Sequence, residues 1–440
     1  MRKYFAAFVG CSLLAIVITI VCLISFEPVD SLMKPPMSNG ENHEIQLAFE
    51  DYTGKNYKLR APLSGEYRSS YIFNDFNGDL QNEVIVFYTT EDEVDALKMC
   101  LLVKRNNIWK AVSVCESTYS EVQRVEFADF DNDGISEILV GWTAYQNDLS
   151  RSLNIYSVPL EGGSFKNLYS CSYTDFEVID IDSDDKSDVA VFEGAQSGMG
   201  IVFSFKSFES GNFVTKGEIN LDSSVYSVFN LSYDFSERDN LTRLYVDGYK
   251  IDGGLITECI YWDSQAEALK KITSSKKVSI LSSRMTSVSC QDVDSDGFIE
   301  IPLEITLDNS KVISKNSSEV REQSIIKWIR FDGAGYETVT YQLIYNNNDF
   351  RITFDESWVE NITVTNDYNK KAIYFYLNDK KNEKILFELR YTTTQIEEDA
   401  LSNKYKLLTE TGKGKLFYIV YNSDSELNIN RSYIQKSIVF

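Results

Sequence analysis

The 440-residue chain contains a single histidine, His43, and only six prolines. One histidine cannot supply a multi-histidine zinc site, and the polar stretch around His43 is poorly suited to a Ser-His-Asp triad. Basic residues are also scarce, with 43 Lys and Arg against 66 Asp and Glu, so the net charge is −23. Because nucleic-acid binding requires a basic surface, this class of protein is excluded and no nucleic-acid partner is expected.

The rest of the composition is typical of a folded protein rich in β-strands. Hydrophobic residues make up 43% of the chain, which is enough to form cores and excludes global disorder. Aromatic residues make up 13% and favour strands. Five cysteines follow residue 30, and this odd, scattered set favours buried free thiols over a disulfide framework.

The N-terminal segment predicts membrane attachment. Arg2 and Lys3 precede an uncharged apolar run over residues 4–26, which is long enough to cross a bilayer as a helix. The positive charges predict that this end stays inside and that the remaining chain is extracytoplasmic. We therefore predict a signal anchor over residues 1–27 and a location at the cell membrane. Lipid attachment at Cys22 stays open, although Val21 stands where a lipobox requires a small residue.

A linker is predicted after the anchor, over residues 28–44. It contains three prolines, with serine, asparagine and glycine, and no apolar period. At its end, Ile45, Ala48 and Phe49 have helical spacing, which predicts one short helix over residues 41–49.

A nine-residue acidic segment, followed each time by an apolar run, is repeated along the middle of the chain. Clear copies begin at Asp75, Asp129, Asp180 and Asp292, and a degenerate copy begins at Asp234, so the starts step by 54, 51, 54 and 58 residues. Each unit predicts a strand, an acidic loop, a second strand and then a hairpin of two more strands. Repeated four-stranded units are typical of propeller blades. We predict a mainly β fold, with a β-propeller of five to seven blades over residues 45–345.

The acidic loops have the composition of metal sites. Oxygen ligands at positions 1, 3, 5 and 9 can converge on one hard cation. Calcium is favoured because it accepts six to eight oxygens in loose geometry, whereas magnesium requires a strict octahedron. An EF-hand is excluded because its glutamate at position 12 would fall inside the next strand. The predicted ligands are Asp75, Asn77, Asp79, Glu83, Asp129, Asp131, Asp133, Glu137, Asp180, Asp182, Asp184, Asp188, Asp292, Asp294, Asp296 and Glu300.

The loops differ in how closely they keep this pattern. Leu80 and Asp185 replace the glycine expected at position 6, which places metal binding by the Asp75 and Asp180 loops in question. In the Asp234 copy, Ser236, Arg238 and Thr242 stand at the ligand positions 3, 5 and 9. The positively charged side chain of Arg238 is expected to take the place of the metal ion. That copy is predicted to be free of metal.

These repeated loops resemble the FG-GAP or VCBS-type repeats of integrin-α-like propellers. Through residues 32–36, 62–70 and 125–127, the chain is also similar to membrane-attached VCBS-repeat proteins of Gram-positive gut clostridia. The resemblance implies structural calcium at loop positions 1, 3, 5 and 9, and it brings no established reaction. Such relatives are often lipoproteins, which keeps lipidation at Cys22 open.

The repeat stops near residue 345, where residues 346–348 are three asparagines. Beyond it, strand-like stretches at residues 361–364, 372–377, 385–391 and 415–421 and helical stretches near residues 395–400 and 432–438 predict an α+β domain over residues 346–440. Because no catalytic constellation is visible, we predict a non-enzymatic scaffold for adhesion that binds a protein or glycan ligand. The alternative is an extracellular polysaccharide hydrolase or lyase built on a propeller, since a pair of carboxylates can hydrolyse glycosides.

Overall fold

The computed structural model describes residues 40–90, 93–143, 151–194, 200–272, 282–314, 319–331, 335–345, 350–378, 384–411, 414–422, 427 and 430–439. The predicted anchor, residues 28–39 of the predicted linker and the three asparagines at 346–348 lie outside this set. None of the helices in the described ranges combines the length and the apolarity needed to cross a membrane. The five cysteines within these ranges form no disulfide with one another, as predicted; Cys100, Cys259 and Cys290 are buried, whereas Cys115 and Cys171 are partly exposed.

The chain is mainly β and divides into two compact units, residues 1–122 with 158–166 and residues 123–157 with 167–440. In the described residues of the first unit there is one helix, α1 (Glu41–Thr53), which extends one turn beyond the predicted segment and ends at Gly54, where φ is 79°. Ile45 and Phe49, one helical turn apart, are buried against sheet I. Sheet I is ordered β1-β3-β4-β5, with β2 also pairing β3. Its strands are β1 (Tyr57–Arg60), β2 (Tyr71–Asn74), β3 (Glu83–Thr90), β4 (Glu93–Arg105) and β5 (Ile108–Glu116).

The second unit begins with three four-stranded sheets in which consecutive strands are neighbours. This is the strand pattern that the repeats predict. Sheet II contains β6 (Glu121–Ala128), β7 (Glu137–Thr143), β8 (Arg151–Ser157) and β9 (Lys166–Ser172). Sheet III contains β10 (Asp175–Ile179), β11 (Asp188–Gly194), β12 (Ile201–Glu209) and β13 (Asn212–Asn220). Sheet IV contains β14 (Val225–Ser236), β15 (Leu241–Lys250), β16 (Leu255–Asp263) and β17 (Ala268–Lys271).

Sheets II, III and IV pack face to face in the order of the chain. Leu139 of sheet II and Phe176 of sheet III belong to one buried apolar cluster. Phe205 of sheet III and Trp262 of sheet IV belong to the next, with their ring centroids 5.1 Å apart. Each four-stranded sheet therefore buries its apolar side chains against the following sheet.

Sheet V has ten strands and joins the last repeat to the C-terminal segment. Its order is β25-β26-β24-β23-β22-β18-β19-β20-β21-β27, with a parallel contact between β18 and β22. The strands are β18 (Ile301–Ile313), β19 (Val320–Phe331), β20 (Tyr336–Tyr345), β21 (Phe350–Phe354), β22 (Ile362–Asp367), β23 (Ala372–Leu377), β24 (Lys384–Thr392), β25 (Lys406–Thr411), β26 (Gly414–Val420) and β27 (Ile438–Val439). The helices are α2 (Glu356–Asn361), α3 (Gln395–Ser402) and α4 (Arg431–Lys436).

The degenerate repeat copy folds as a hairpin instead of an acidic loop. β14 continues through Asp234 to Ser236, which pairs directly with Leu241 at the start of β15. The sequence places the segment correctly between two strands, but the loop itself has been replaced by continued strand pairing.

A charged network is completely buried within sheet IV and the segment after it. The side chains of Asp247 and Arg284 have no exposed surface, and Arg284 Nη2 donates to Asp247 Oδ1 at 2.8 Å. Thr257 Oγ1 donates to the same oxygen at 2.6 Å, and the Cys290 backbone N–H donates to Oδ2 at 2.7 Å. Arg284 Nε donates to the Val288 carbonyl at 2.7 Å. Both charges are therefore compensated by a partner and by further hydrogen bonds.

Candidate metal centres

The four clear acidic loops share one hydrogen-bonding scheme, which begins at position 9. The carboxylate at position 9 opens or immediately precedes the following strand and accepts a hydrogen bond from the backbone N–H at position 2. The nitrogen–oxygen distances are 3.1 Å for Phe76–Glu83, 3.0 Å for Phe130–Glu137, 3.1 Å for Ile181–Asp188 and 2.9 Å for Val293–Glu300. The last ligand of each loop is thereby fixed by the first turn of the same loop.

Position 1 closes the loop from the other side. Its carboxylate accepts a hydrogen bond from the backbone N–H at position 6, with distances of 2.8 Å to Leu80, 3.0 Å to Gly134, 2.9 Å to Asp185 and 2.9 Å to Gly297. Position 6 is left-handed in all four loops, with φ between 66° and 90°. Leu80 and Asp185 therefore adopt the conformation for which glycine was expected, so the missing glycines do not prevent the loop from forming.

Replacing Leu80 with glycine is expected to stabilise the protein. A left-handed conformation costs a residue with a Cβ about 1–2 kcal/mol, and the greater freedom of glycine in the unfolded chain offsets about half of this. The Leu80 side chain is 94% exposed and loses no packing. We expect Leu80→Gly to raise the free energy of unfolding by about 0.5–1 kcal/mol in urea denaturation. Leu80→Ala, which keeps the Cβ, is the matched control and is expected to change little.

Three of the four loops gather three carboxylates each. Within each group, one oxygen from every member lies within 4.8 Å of the others. The groups are Asp129, Asp131 and Glu137; Asp180, Asp182 and Asp188; and Asp292, Asp294 and Glu300. These positions, 1, 3 and 9, are three of the four predicted from the spacing, and such groups can hold a metal ion.

The carboxylates at position 5 lie outside these groups. In each loop one oxygen accepts a hydrogen bond from the backbone N–H at position 7. The distances are 2.8 Å for Asp79–Gln81, 2.8 Å for Asp133–Ile135, 3.0 Å for Asp184–Lys186 and 3.1 Å for Asp296–Phe298. The carboxylate at position 5 therefore stabilises the turn of the loop backbone through this hydrogen bond.

The Asp75 loop keeps the backbone scheme of the other three but has only three acidic residues. Its position 3 is Asn77, whose Oδ1 accepts a hydrogen bond from the Asp79 backbone N–H at 3.1 Å. Its carboxylates, Asp75, Asp79 and Glu83, do not form a compact group like those of the other loops. A neutral ligand at position 3 leaves this loop with less charge to attract a cation.

Burial of the position 9 carboxylates is the main electrostatic feature of the sites. Glu137 is 4% exposed, and Asp188 and Glu300 have no exposed surface. Burial raises the pKa of each of these three carboxyl groups to about 7, and the neighbouring aspartates of the same loop add to the effect. A bound cation would favour the ionised form of all three.

Some buried oxygens in these loops also lack a hydrogen-bond donor. They include Asp129 Oδ1, Asp188 Oδ1 and Glu300 Oε1. A buried carboxylate oxygen without a donor is costly unless a cation faces it. The donor set, made entirely of oxygens, and these unsatisfied atoms fit a hard divalent cation.

Two basic residues from later strands, which the loop sequences do not predict, lie beside the loops. Lys216 Nζ, on β13, lies 3.5 Å from Asp182 Oδ2. Arg330, on β19, contacts Asp294 and Asp296. Within the ranges that the structure describes, no lysine or arginine forms an ion pair with a carboxylate of the Asp129 loop. Lys216 and Arg330 lie more than 30 residues after Asp182 and Asp294, respectively, which they contact. No local sequence signal assigns either residue to its loop.

The hairpin of the degenerate copy has its own cation, but it is not the one expected. Arg238 is exposed, whereas Arg243 Nη1 lies 3.7 Å from Asp234 Oδ1. The other Asp234 oxygen accepts hydrogen bonds from the Tyr245 hydroxyl at 3.0 Å and from the Ile299 backbone N–H at 2.9 Å. Asp234 is thus compensated by protein groups alone, and it holds the backbone of the Asp292 loop.

Comparisons with known proteins assign no family to this chain. No protein-family model matches it, and no curated protein matches it. One solved structure that is similar is the rhamnogalacturonan lyase of Bacillus licheniformis, with 12% sequence identity and a TM-score of 0.29. The match covers 55% of this chain and 58% of the lyase chain. Similarity at this level establishes neither a shared fold nor a shared activity.

Proposed function

We propose that the protein is a membrane-anchored, extracytoplasmic β-propeller of the VCBS or FG-GAP type that binds calcium and serves as a non-enzymatic scaffold for a protein or glycan ligand. The observation that carries the proposal is the recurrence of one acidic loop, with the same hydrogen bonds, directly before or at the start of a core strand in sheets I, II, III and V. Such recurrence is typical of a repeated unit built around a bound ion.

The propeller is supported by the strand pattern. Sheets II, III and IV each run in chain order, and each packs its apolar face on the next. We propose that each of sheets I to IV, and the first strands of sheet V, has the strand pattern of one blade. The order of β18, β19 and β20 in sheet V fits the last three strands of a fifth blade, because the Asp292 loop precedes β18 and the isolated bridge between Gln291 and Glu300 stands in the place of the first strand.

Calcium is supported by the chemistry of the loops. All predicted ligands are oxygens, and they lie in irregular loops. This suits calcium, which accepts six to eight oxygens in loose geometry, better than magnesium, which requires a strict octahedron. In this proposal the ion is structural, because it neutralises a buried carboxylate that begins a core strand.

The absence of catalysis is supported by where the acidic groups lie. A carboxyl group with a pKa near 7 beside ionised carboxylates is also the pattern of a glycosidase acid, so the hydrolase or lyase alternative would use Glu137, Asp188 or Glu300. Each of these side chains is buried and bonded to the backbone of its own loop. A polysaccharide cannot reach such an oxygen without unfolding the loop.

The proposal is tested with the full-length protein in detergent and a panel of immobilised polysaccharides and cell-wall proteins. We expect retention on at least one of them that requires calcium and is lost in EDTA, with no release of reducing ends or unsaturated sugars. Turnover that is abolished by Glu137→Gln, Asp188→Asn or Glu300→Gln would instead establish the hydrolase or lyase alternative.

A further inference from the structure

In the Asp292 loop, a cation that belongs to the chain lies among the predicted metal ligands. Arg330 Nη1 bonds to Asp296 Oδ2 and lies 3.7 Å from Glu300 Oε1, while Nη2 lies 3.8 Å from Asp294 Oδ2. Glu300 Oε1 is a buried oxygen with no other partner. The guanidinium group therefore faces three of the four oxygen ligands that a calcium ion would use.

Arg330 is held in this position from outside the loop as well. Its Nε donates to Glu337 Oε1 at 3.2 Å, and its guanidinium carbon lies 5.6 Å from the centroid of the Phe298 ring. Its side chain is only 17% exposed. A charged side chain that is ordered by an ion pair and an aromatic face is a tethered ligand, present at high effective concentration.

The other loops do not have this arrangement. Lys216 lies beside the Asp180 loop, but it is shared with Glu209, at 3.0 Å, and contacts only Asp182 of the ligands. Lys186, within that loop, contacts only Asp184, at 3.4 Å, and its side chain is 48% exposed. For the Asp129 loop, no basic partner exists among the residues that the structure describes. The loops therefore differ in how much positive charge the protein already supplies.

We propose that Arg330 is a resident cation that competes with calcium for the Asp292 loop, so that this loop fills at a higher calcium concentration than the Asp129 loop. The inference rests on the proposed calcium binding and specifies its regulation. A divalent ion and a guanidinium group repel each other at these distances, so the ion can enter only as Arg330 leaves Asp296 and Glu300. The negative charge of the loop is then compensated in both states, by Arg330 at low calcium concentration and by the metal ion at high calcium concentration.

The test is a calcium titration of the full-length protein by equilibrium dialysis with radioactive calcium. Relative to the wild type, we expect Arg330→Gln to tighten one of the weaker sites by at least tenfold without changing the total number of ions bound. Arg330→Lys keeps the positive charge and is expected to leave the calcium affinity of this site low. Arg321→Gln removes an exposed arginine outside the loops and is expected to have no effect.

A further variant assigns the change to the loop. Adding Asp292→Asn to Arg330→Gln is expected to remove the tightened site. If Arg330→Gln folds only with calcium, its affinity is measured by withdrawing the metal with a chelator.

Different results would overturn calcium binding and the role of Arg330. A wild-type protein that binds no calcium would overturn the proposed function and this inference together. A wild-type protein that binds calcium, with no site that Arg330→Gln tightens, would overturn the role of Arg330 alone.

Discussion

Removal of calcium from the full-length protein is expected to lower its thermal midpoint by several degrees or more, and calcium at sub-millimolar concentration is expected to restore it. An ion that binds only the native state stabilises it by about 2.7 kcal/mol per site when its concentration is 100 times the dissociation constant. Magnesium is expected to restore little, because the loops offer no rigid octahedron. The measurement is differential scanning calorimetry in EDTA, with each metal added back.

The Glu137→Gln variant distinguishes calcium binding from a general salt effect, because its stability relative to the wild type is expected to change sign between EDTA and calcium. The folded-state pKa of Glu137 is about 7, above its unfolded value, so without metal its contribution to stability falls as the pH rises from about 4.5 to 7. At pH 8 in EDTA, the variant is therefore expected to be more stable than the wild type, by on the order of 2 kcal/mol. In calcium the order is expected to reverse, because the variant has lost a charged ligand.

Glu161→Gln is the matched control, since Glu161 has a 96% exposed side chain outside the loops. It is expected to follow the wild type in both EDTA and calcium. If Glu137→Gln also follows the wild type, and the purified protein contains no calcium, the loops are acidic turns that bind no metal.

Breaking the buried pair of Asp247 and Arg284 is expected to cause the largest loss of stability from a single substitution. Arg284→Met leaves the Asp247 carboxylate without a countercharge in a region that excludes water. Removing one partner of a buried pair costs about 3–5 kcal/mol. The free energy of unfolding is measured by urea denaturation, followed by tryptophan fluorescence.

The double variant Asp247→Asn with Arg284→Met separates the two causes of this loss. It is expected to be more stable than Arg284→Met alone, because no unpaired charge remains buried. Arg321→Met is the surface control, since Arg321 has a 67% exposed side chain and its ion pair with Glu319 is worth less than about 1 kcal/mol. A loss from Arg284→Met no larger than that of the control would show that the network does not stabilise the fold.

Local patterns in the sequence predicted the parts of the fold that depend on local chemistry. Asn106 and Asn107 mark a two-residue hairpin because both accept the positive φ that such a turn requires, and both have it. The strand β23 has the bounds predicted from its apolar run, and the strand β24 differs by one residue at each end. The acidic loops were likewise visible, because their ligands lie within nine residues of one another.

Contacts between distant residues could not be predicted in this way. The parallel pairing of β18 with β22 joins Lys311 to Thr365, and nothing near either residue specifies the other. The position of Arg330 beside the Asp292 loop depends on the pairing of β18 with β19, and hence on tertiary structure. The hairpin at Asp234 was recognised as degenerate, but the arginine that compensates it was assigned to the exposed Arg238 instead of the buried Arg243.

The hairpin that joins β14 to β15 also has a kinetic consequence. Its contacts join residues close in sequence, and its charges are compensated by Arg243, so closing it requires neither a long loop closure nor an ion. Sheet IV is therefore the part of the chain expected to form first when calcium is scarce. The neighbouring sheets would then form their first hairpins against sheet IV as metal becomes available. Assembly of the sheets would therefore start from sheet IV.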